Sequence, residues 1–339
     1  MESDAHVTSR RGVNRVDGAK QKVLQWALSG AVLVVTASVT STASAYCRTT
    51  TCDSQIENCA IDPVTRCPLT GNVLYWPDAC VTFGVHQAGS PLRRISYDTA
   101  QRVARNAFQS WLSVDCGAGQ MPSIGAVYLG SVECDQVQYN YPDVGEQFAP
   151  GPNANIIVFR DSFWPYRESI QDERITLALT TITYLKETGE IVDADIEINS
   201  ANVVLSTSET NVTNDLQAIL THEFGHFLGF AHSNVPNSVM HRTYNVTTND
   251  GTLRRLSQDD RLAVCDAYRP GEIEVADCRG AGPRFGFSRE CYTPGQASAG
   301  LLCNVSPAPG GAGAGAWPWA LGVLALIGGA FARIVRPKD

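Results

Sequence analysis

The chain predicts an α+β domain, or a mostly parallel sheet with helices packed on it. Three observations lead there. Strand candidates come first and helices are few. Three segments carry helix-start and helix-stop chemistry around an apolar period. Two strand candidates are joined by K-E-T-G-E, a hairpin-like turn.

Taken in order, the first strand covers Val81–His86. Ser96 then caps a helix whose one face carries Ala100, Val103, Ala104, Ala107, Phe108, Trp111 and Leu112, a 3.6-residue period. Strands follow at Ile156–Arg160, Ile175–Tyr184 and Ile191–Ile198. A second helix begins near Thr213 and runs through L-Q-A-I-L-T-H-E-F-G-H-F-L to Gly229. A third starts at Ser257, places Asp259 and Asp260 in its first turn, and stops at Pro270-Gly271.

Composition narrows the classes. Hydrophobic residues make up 44% of the 339 residues, enough for a core. A net charge of −8 with no basic stripe argues against nucleic-acid binding. Eleven cysteines, none before Cys47, point to disulfides formed in an oxidising compartment. The odd total leaves at least one unpaired within the chain.

Both ends read as addresses. Arg10, Arg11, Arg15, Lys20 and Lys22 precede an apolar run from Val23 to Val35, and Ala43 and Ala45 supply an A-x-A site. This is a secretory signal pattern, with cleavage expected between Ala45 and Tyr46. Near the other end, Trp317–Ala332 is apolar and Arg333, Arg336 and Lys338 follow. This reads as a membrane-anchoring segment with a cytoplasmic basic end. The tail resembles the C-terminal sorting tails of bacterial surface proteins, with Cys303 as the signal residue. The expected division is a signal peptide 1–45, a Cys-rich segment 46–75, a catalytic domain 76–270, a stem 271–316 and an anchor 317–339.

The chemistry is concentrated in T-H-E-F-G-H-F-L-G-F-A-H-S, Thr221 to Ser233. Four of the six histidines lie between 222 and 241. His222 and His226 are one helical turn apart on the same face and can hold one ion together. Glu223 sits beside that ion as a general base, the H-E-x-x-H zinc pattern. Catalytic zinc takes three protein ligands plus water. Gly229 can end the helix in a left-handed conformation, and the returning chain brings His232 as the third ligand.

The complete H-E-x-x-H-x-x-G-x-x-H resembles the metzincins, a class of zinc endopeptidases. Met240, in S-V-M-H-R, matches their methionine turn beneath the metal. The wording is similar to the matrixins in particular, through Y-W-P-D-A-C-V-T-F from Tyr75, the zinc motif, and L-S-Q-D-D from Leu256. The resemblance spans about 75–268. It implies a twisted, mostly parallel five-stranded sheet with three helices, and substrate extended along an edge strand above one catalytic zinc. We assign that edge to Ile175–Tyr184, with Ala178, Leu179, Thr180 and Tyr244 as substrate-binding residues.

Three positions depart from the family. No histidine stands between 177 and 197, where matrixins hold a second zinc, so no second histidine-bound zinc is expected. Arg242, after His241, replaces the proline that walls the specificity pocket. T-R-C-P at Thr65–Pro68 is similar to the latency cysteine of the propeptide, but the neighbouring cysteines favour a disulfide for Cys67. Calcium is left open as an additional ion. The expected activity is zinc-dependent cleavage of protein or peptide substrates by an exported monomer held at a membrane by its tail. Two alternatives stand beside it: a surface-anchored binding or adhesion module with a non-catalytic zinc, and a zinc amidase acting on cell-wall peptides.

Overall fold

The computed structural model describes residues 46–53, 57–135, 137, 154–166, 175–208, 214–243, 251–272, 278, 281–282, 321–326 and 331–335. Five strands form the expected sheet: β2 (Cys80–His86), β3 (Gly125–Val132), β4 (Ile156–Phe159), β5 (Ala178–Leu185) and β6 (Ile191–Ile198). Their spatial order is β3-β2-β4-β6-β5. All neighbours run parallel except β5, which is antiparallel to β6. A short β1 (Cys47–Arg48) pairs apart from this sheet with β7 (Phe230–Ala231). The three helices are α1 (Tyr97–Leu112), α2 (Leu216–Phe227) and α3 (Gln258–Ala267).

The helices start where side chains can take their orphan amides. Ser96 accepts from Thr99 N–H, Asp215 from Gln217 and Ala218 N–H, and Ser257 forms a capping box with Asp260. The core joins α1 and α2 to the sheet. Phe108 stacks on Phe83 with ring centroids 5.0 Å apart and meets Phe224 at 4.1 Å. Fully buried side chains such as Phe224 and Phe227 each contribute roughly 1.5–3 kcal/mol. These aromatics orient α2 before any metal is considered.

The structure differs from the sequence reading in places. Strand β3 escapes it because G-A-V-Y-L-G-S-V opens with glycine, carries another inside, and is only partly buried along most of its length. No clean apolar alternation results. Strand β5 begins at Ala178 rather than Ile175, which is 55% exposed. The hairpin after it closes on Gly189, whose φ is +83° and whose missing Cβ leaves room for Val73 O.

The sheet also gains two strands beyond the expected five. β8 (Leu321–Leu326) pairs with β5 and β9 (Phe331–Val335) pairs with β8, both antiparallel. These are the described parts of the apolar tail. Among the described residues no helix is long and apolar enough to cross a membrane. β8 lies opposite Thr181–Leu185, so the open edge expected over Ile175–Tyr184 narrows to Ala178–Thr180 within β5. An edge strand offers unpaired amides and carbonyls that another strand will take. The signal segment 1–45, Tyr244 and Cys303 lie outside the described residues.

Disulfides tie distant parts together. Cys47–Cys67 and Cys52–Cys59 staple the N-terminal segment, while Cys80–Cys278 and Cys116–Cys265 span the domain. Cys134 is disulfide-bonded as well.

One face of β6 is polar although wholly buried: Asp193, Asp195 and Glu197 alternate with the core residues Ala194, Ile196 and Ile198. Asp195 accepts from Ile156 N–H at 2.8 Å. Burial, and then the charge of Asp193, push its carboxyl well above the usual range. An acid raised in the folded state gives its full stability below the unfolded value and loses it as pH rises toward the folded one. Asp195→Asn keeps an acceptor for Ile156 and removes the ionisation. Its melting temperature at pH ~8 should exceed the parent's by roughly a few degrees, the gap closing toward pH ~5. Equal melting across that range would refute this account.

Candidate metal centre

Helix α2 carries His222, Glu223 and His226 because its other side chains bury Leu220, Phe224 and Phe227 in the main core. His222 Nδ1 lies 2.6 Å from Val239 O, and His226 Nδ1 lies 2.8 Å from Phe230 O. A carbonyl only accepts, so each Nδ1 carries the proton and each Nε2 presents a lone pair. Those two Nε2 atoms stand 3.1 Å apart. Two lone pairs at that distance repel unless a cation lies between them. His232 Nε2 is buried and without a hydrogen-bond partner, and ligand atoms of the three rings lie within 4.8 Å of one another.

Electrostatics suit a cation as well. Burial, and next the neighbouring His222, lower the His226 pKa to about 3. Burial, and then His226 and His222, hold His232 well below its ordinary value. Both rings are therefore neutral at physiological pH, the form that ligates metal. Three converging imidazoles, two of them backed by carbonyls, are a donor set that fits zinc.

The third ligand depends on a sharp reversal. Gly229 has φ +88°, as its helix-stop role requires, and a Cβ there would come 2.5 Å from Leu74 O. The three carbonyls from Phe227 to Gly229 are each taken by a residue remote in sequence. Trp76 Nε1 donates to Phe227 O at 2.8 Å, Tyr268 Oη to Leu228 O at 2.8 Å, and Thr49 N–H to Gly229 O at 2.9 Å. Strand β1 then pairs with Phe230–Ala231, immediately before His232. Further along, Asn234 Nδ2 donates to Thr65 O at 2.8 Å. The N-terminal segment thus braces the loop that carries His232. Cys67 is bonded to Cys47, the disulfide its neighbourhood favoured, and is not available as a latency thiolate.

Met240 lies below the histidines. A Cβ on Gly225 would sit 2.0 Å from Met240 Sδ and 2.8 Å from Trp111, so the G of H-E-F-G-H is where the methionine turn packs. Two residues that sequence reasoning used only to start α3 hold this turn. Asp260 accepts from Ser238 Oγ at 2.6 Å and from the amides of Val239 and Met240 at 2.8 and 3.2 Å. Asp259 accepts from Ser233 Oγ at 2.7 Å. Two serines, Ser233 and Ser238, flanking a loop that faces two adjacent acids were the available signal.

Glu223 is buried beside His222, and burial raises its pKa against the pull of His222 and a hydrogen bond from Thr180. That bond, Thr180 Oγ to Glu223 Oε2 at 2.6 Å, crosses from β5 to α2. Of the residues expected to contact substrate, Ala178, Leu179 and Thr180 are all buried. Leu179 packs against Trp164 on the other face of the sheet, so only its backbone can serve a peptide. In the histidine-free segment 177–197, Glu197 takes Arg160 at 2.5 Å and the hydroxyl of Tyr166. His241 is half-buried against the backbone of Thr243, and Arg242 is exposed. Both contribute to the positive field that lowers His232.

Residues 134–269 match the family model described as Matrixin. Matrix metalloproteinase-25 of Homo sapiens is 53% identical over 54 residues, 16% of this chain and 10% of that protein. The Mus musculus protein of the same name is 46% identical over 63 residues, 19% of this chain and 10% of its own length. Karilysin of Tannerella forsythia is 44% identical over 54 residues, 16% of this chain and 10% of its own. The match spans about a tenth of the length of these curated relatives.

The brace on the His232 loop is open to test. Deleting 46–74, or replacing Cys47 and Cys67 by serine, should weaken zinc retention by roughly tenfold or more in chelator competition. It should also lower the melting temperature. A shortened protein that keeps zinc as tightly as the parent would show that the segment is dispensable.

Proposed function

From the matrixin-like metzincin domain that the chain carries, we propose a zinc-dependent metalloendopeptidase that hydrolyses peptide bonds of proteins outside the cytoplasm. The observation that carries this reading is the convergence of three imidazoles with a buried carboxylate next to them. A purely structural zinc has no use for Glu223, whose burial beside the donor set is otherwise unfavourable.

His222, His226 and His232 would hold the ion through Nε2. When bound, zinc supplies the Lewis acidity that makes water a nucleophile near neutral pH and polarises a carbonyl. Glu223 takes the proton of the attacking water and passes it to the leaving amine. Val239 O and Phe230 O keep two of the rings in the ligating tautomer throughout. The backbone of Ala178–Thr180, whose edge away from β6 has no described strand opposite, seats the extended peptide by strand addition. The disulfides support an oxidising compartment, and the basic-apolar N-terminus is the export element of this reading.

The test compares the purified protein with two variants on an unfolded general protein substrate. Glu223→Ala should retain stoichiometric zinc and lose about a hundredfold to ten-thousandfold in kcat. His232→Ala should lose zinc itself, and a chelator should abolish activity of the parent. A zinc-loaded parent that cuts no faster than Glu223→Ala would refute the proposal.

A further inference from the structure

Thr180 is a polar residue in an apolar row. On β5 the residues facing α2 are Ala178, Ile182 and Tyr184, all in the main core, and Thr180 shares their parity. It is fully buried. A buried hydroxyl needs a partner, and valine would fill the same volume without one. Thr180 Oγ has two acceptors within reach, Glu223 Oε2 at 2.6 Å and Glu223 O at 3.2 Å. It has one proton to give. The shorter, charge-assisted contact to the carboxylate takes it. Among the described residues no other protein donor is recorded to that carboxylate.

We propose that Thr180 is the positioning residue of the general base: its hydroxyl pins Oε2 of Glu223 and leaves Oε1 to take the proton. The inference rests on the peptidase reading above and deepens it. A glutamate side chain has three rotatable bonds, and a base displaced by about an ångström loses much of its effect. Anchoring one carboxylate oxygen to the sheet removes that freedom without engaging the other. The anchor also joins two parts of the site. The backbone of Thr180 belongs to the open edge that seats the peptide, while its side chain reaches under α2 to the base. Substrate and base are therefore registered to the same residue of the same strand.

The test uses the full-length, zinc-loaded protein with Thr180→Val, Thr180→Ser and Glu223→Ala beside the parent. Thr180→Val should lower kcat by roughly tenfold to a hundredfold, part of a general base's usual contribution, with KM, zinc content and melting temperature close to the parent's. Thr180→Ser, which keeps the hydroxyl, should restore kcat to within about threefold. An active parent with an equally active Thr180→Val would overturn the role of Thr180 and leave the peptidase reading standing. Loss of kcat shared equally by the valine and serine variants, or accompanied by loss of zinc, would assign Thr180 to packing and overturn it too. A zinc-loaded parent no faster than Glu223→Ala would overturn both.

Discussion

Two carbonyl oxygens, Val239 O and Phe230 O, decide which nitrogen of His222 and His226 carries the proton. Everything at the centre depends on that. With Nδ1 protonated and the rings neutral, both Nε2 lone pairs converge 3.1 Å apart, a repulsion that a shared metal ion relieves. Neither carbonyl belongs to the helix that bears the histidines: Phe230 lies in the short β7 and Val239 in the turn around Met240. The donor set therefore exists only if two loops are held in register with α2. Much of the surrounding structure can be understood as the means of holding them.

The first loop, from Gly229 to His232, is held from the N-terminal side of the chain. Leu74 leaves no room for a side chain at Gly229, Thr49 takes the Gly229 carbonyl, and β1 pairs with Phe230–Ala231. The second loop, around Met240, is held from α3. Asp260 is nearly inaccessible, and its two oxygens accept from Ser238, Val239 and Met240 while also capping its own helix. A buried carboxylate is unfavourable unless it is surrounded by donors, and here the donors are the turn itself. The requirement runs both ways: the turn satisfies the acid, and the acid shapes the turn.

The Glu223 carboxylate follows the same logic with fewer partners. Glu223 is buried by its place on α2, and the compensation reaches it from the sheet through Thr180. Thr180, expected from the sequence to contact substrate, turns its side chain to Glu223 instead. Parity along β5 places Thr180 toward the helix and Leu179 toward Trp164. A row of core residues interrupted by one threonine is visible in A-L-T-T-I-T-Y, yet that pattern alone does not say which buried acceptor waits opposite.

The sequence by itself determined the three helices, four of the five core strands, and the grouping of His222, Glu223, His226 and His232 with Met240. These are local: capping serines and an aspartate, apolar periods, a helical i, i+4 pair and a glycine stop all act within a few residues. Only the tertiary structure decided the half-buried β3, the narrowing of the β5 edge by β8, the disulfide partners, and the roles of Asp260, Thr49 and Thr180. Each of those is a contact between segments far apart in the chain. Thr180 and Glu223 are separated by 43 residues, and Thr49 meets Gly229 at the end of α2 beside contacts from Trp76 and Tyr268. Local chemistry sets which residues can ligate or take a proton. Packing at long range sets which of their atoms face the reaction.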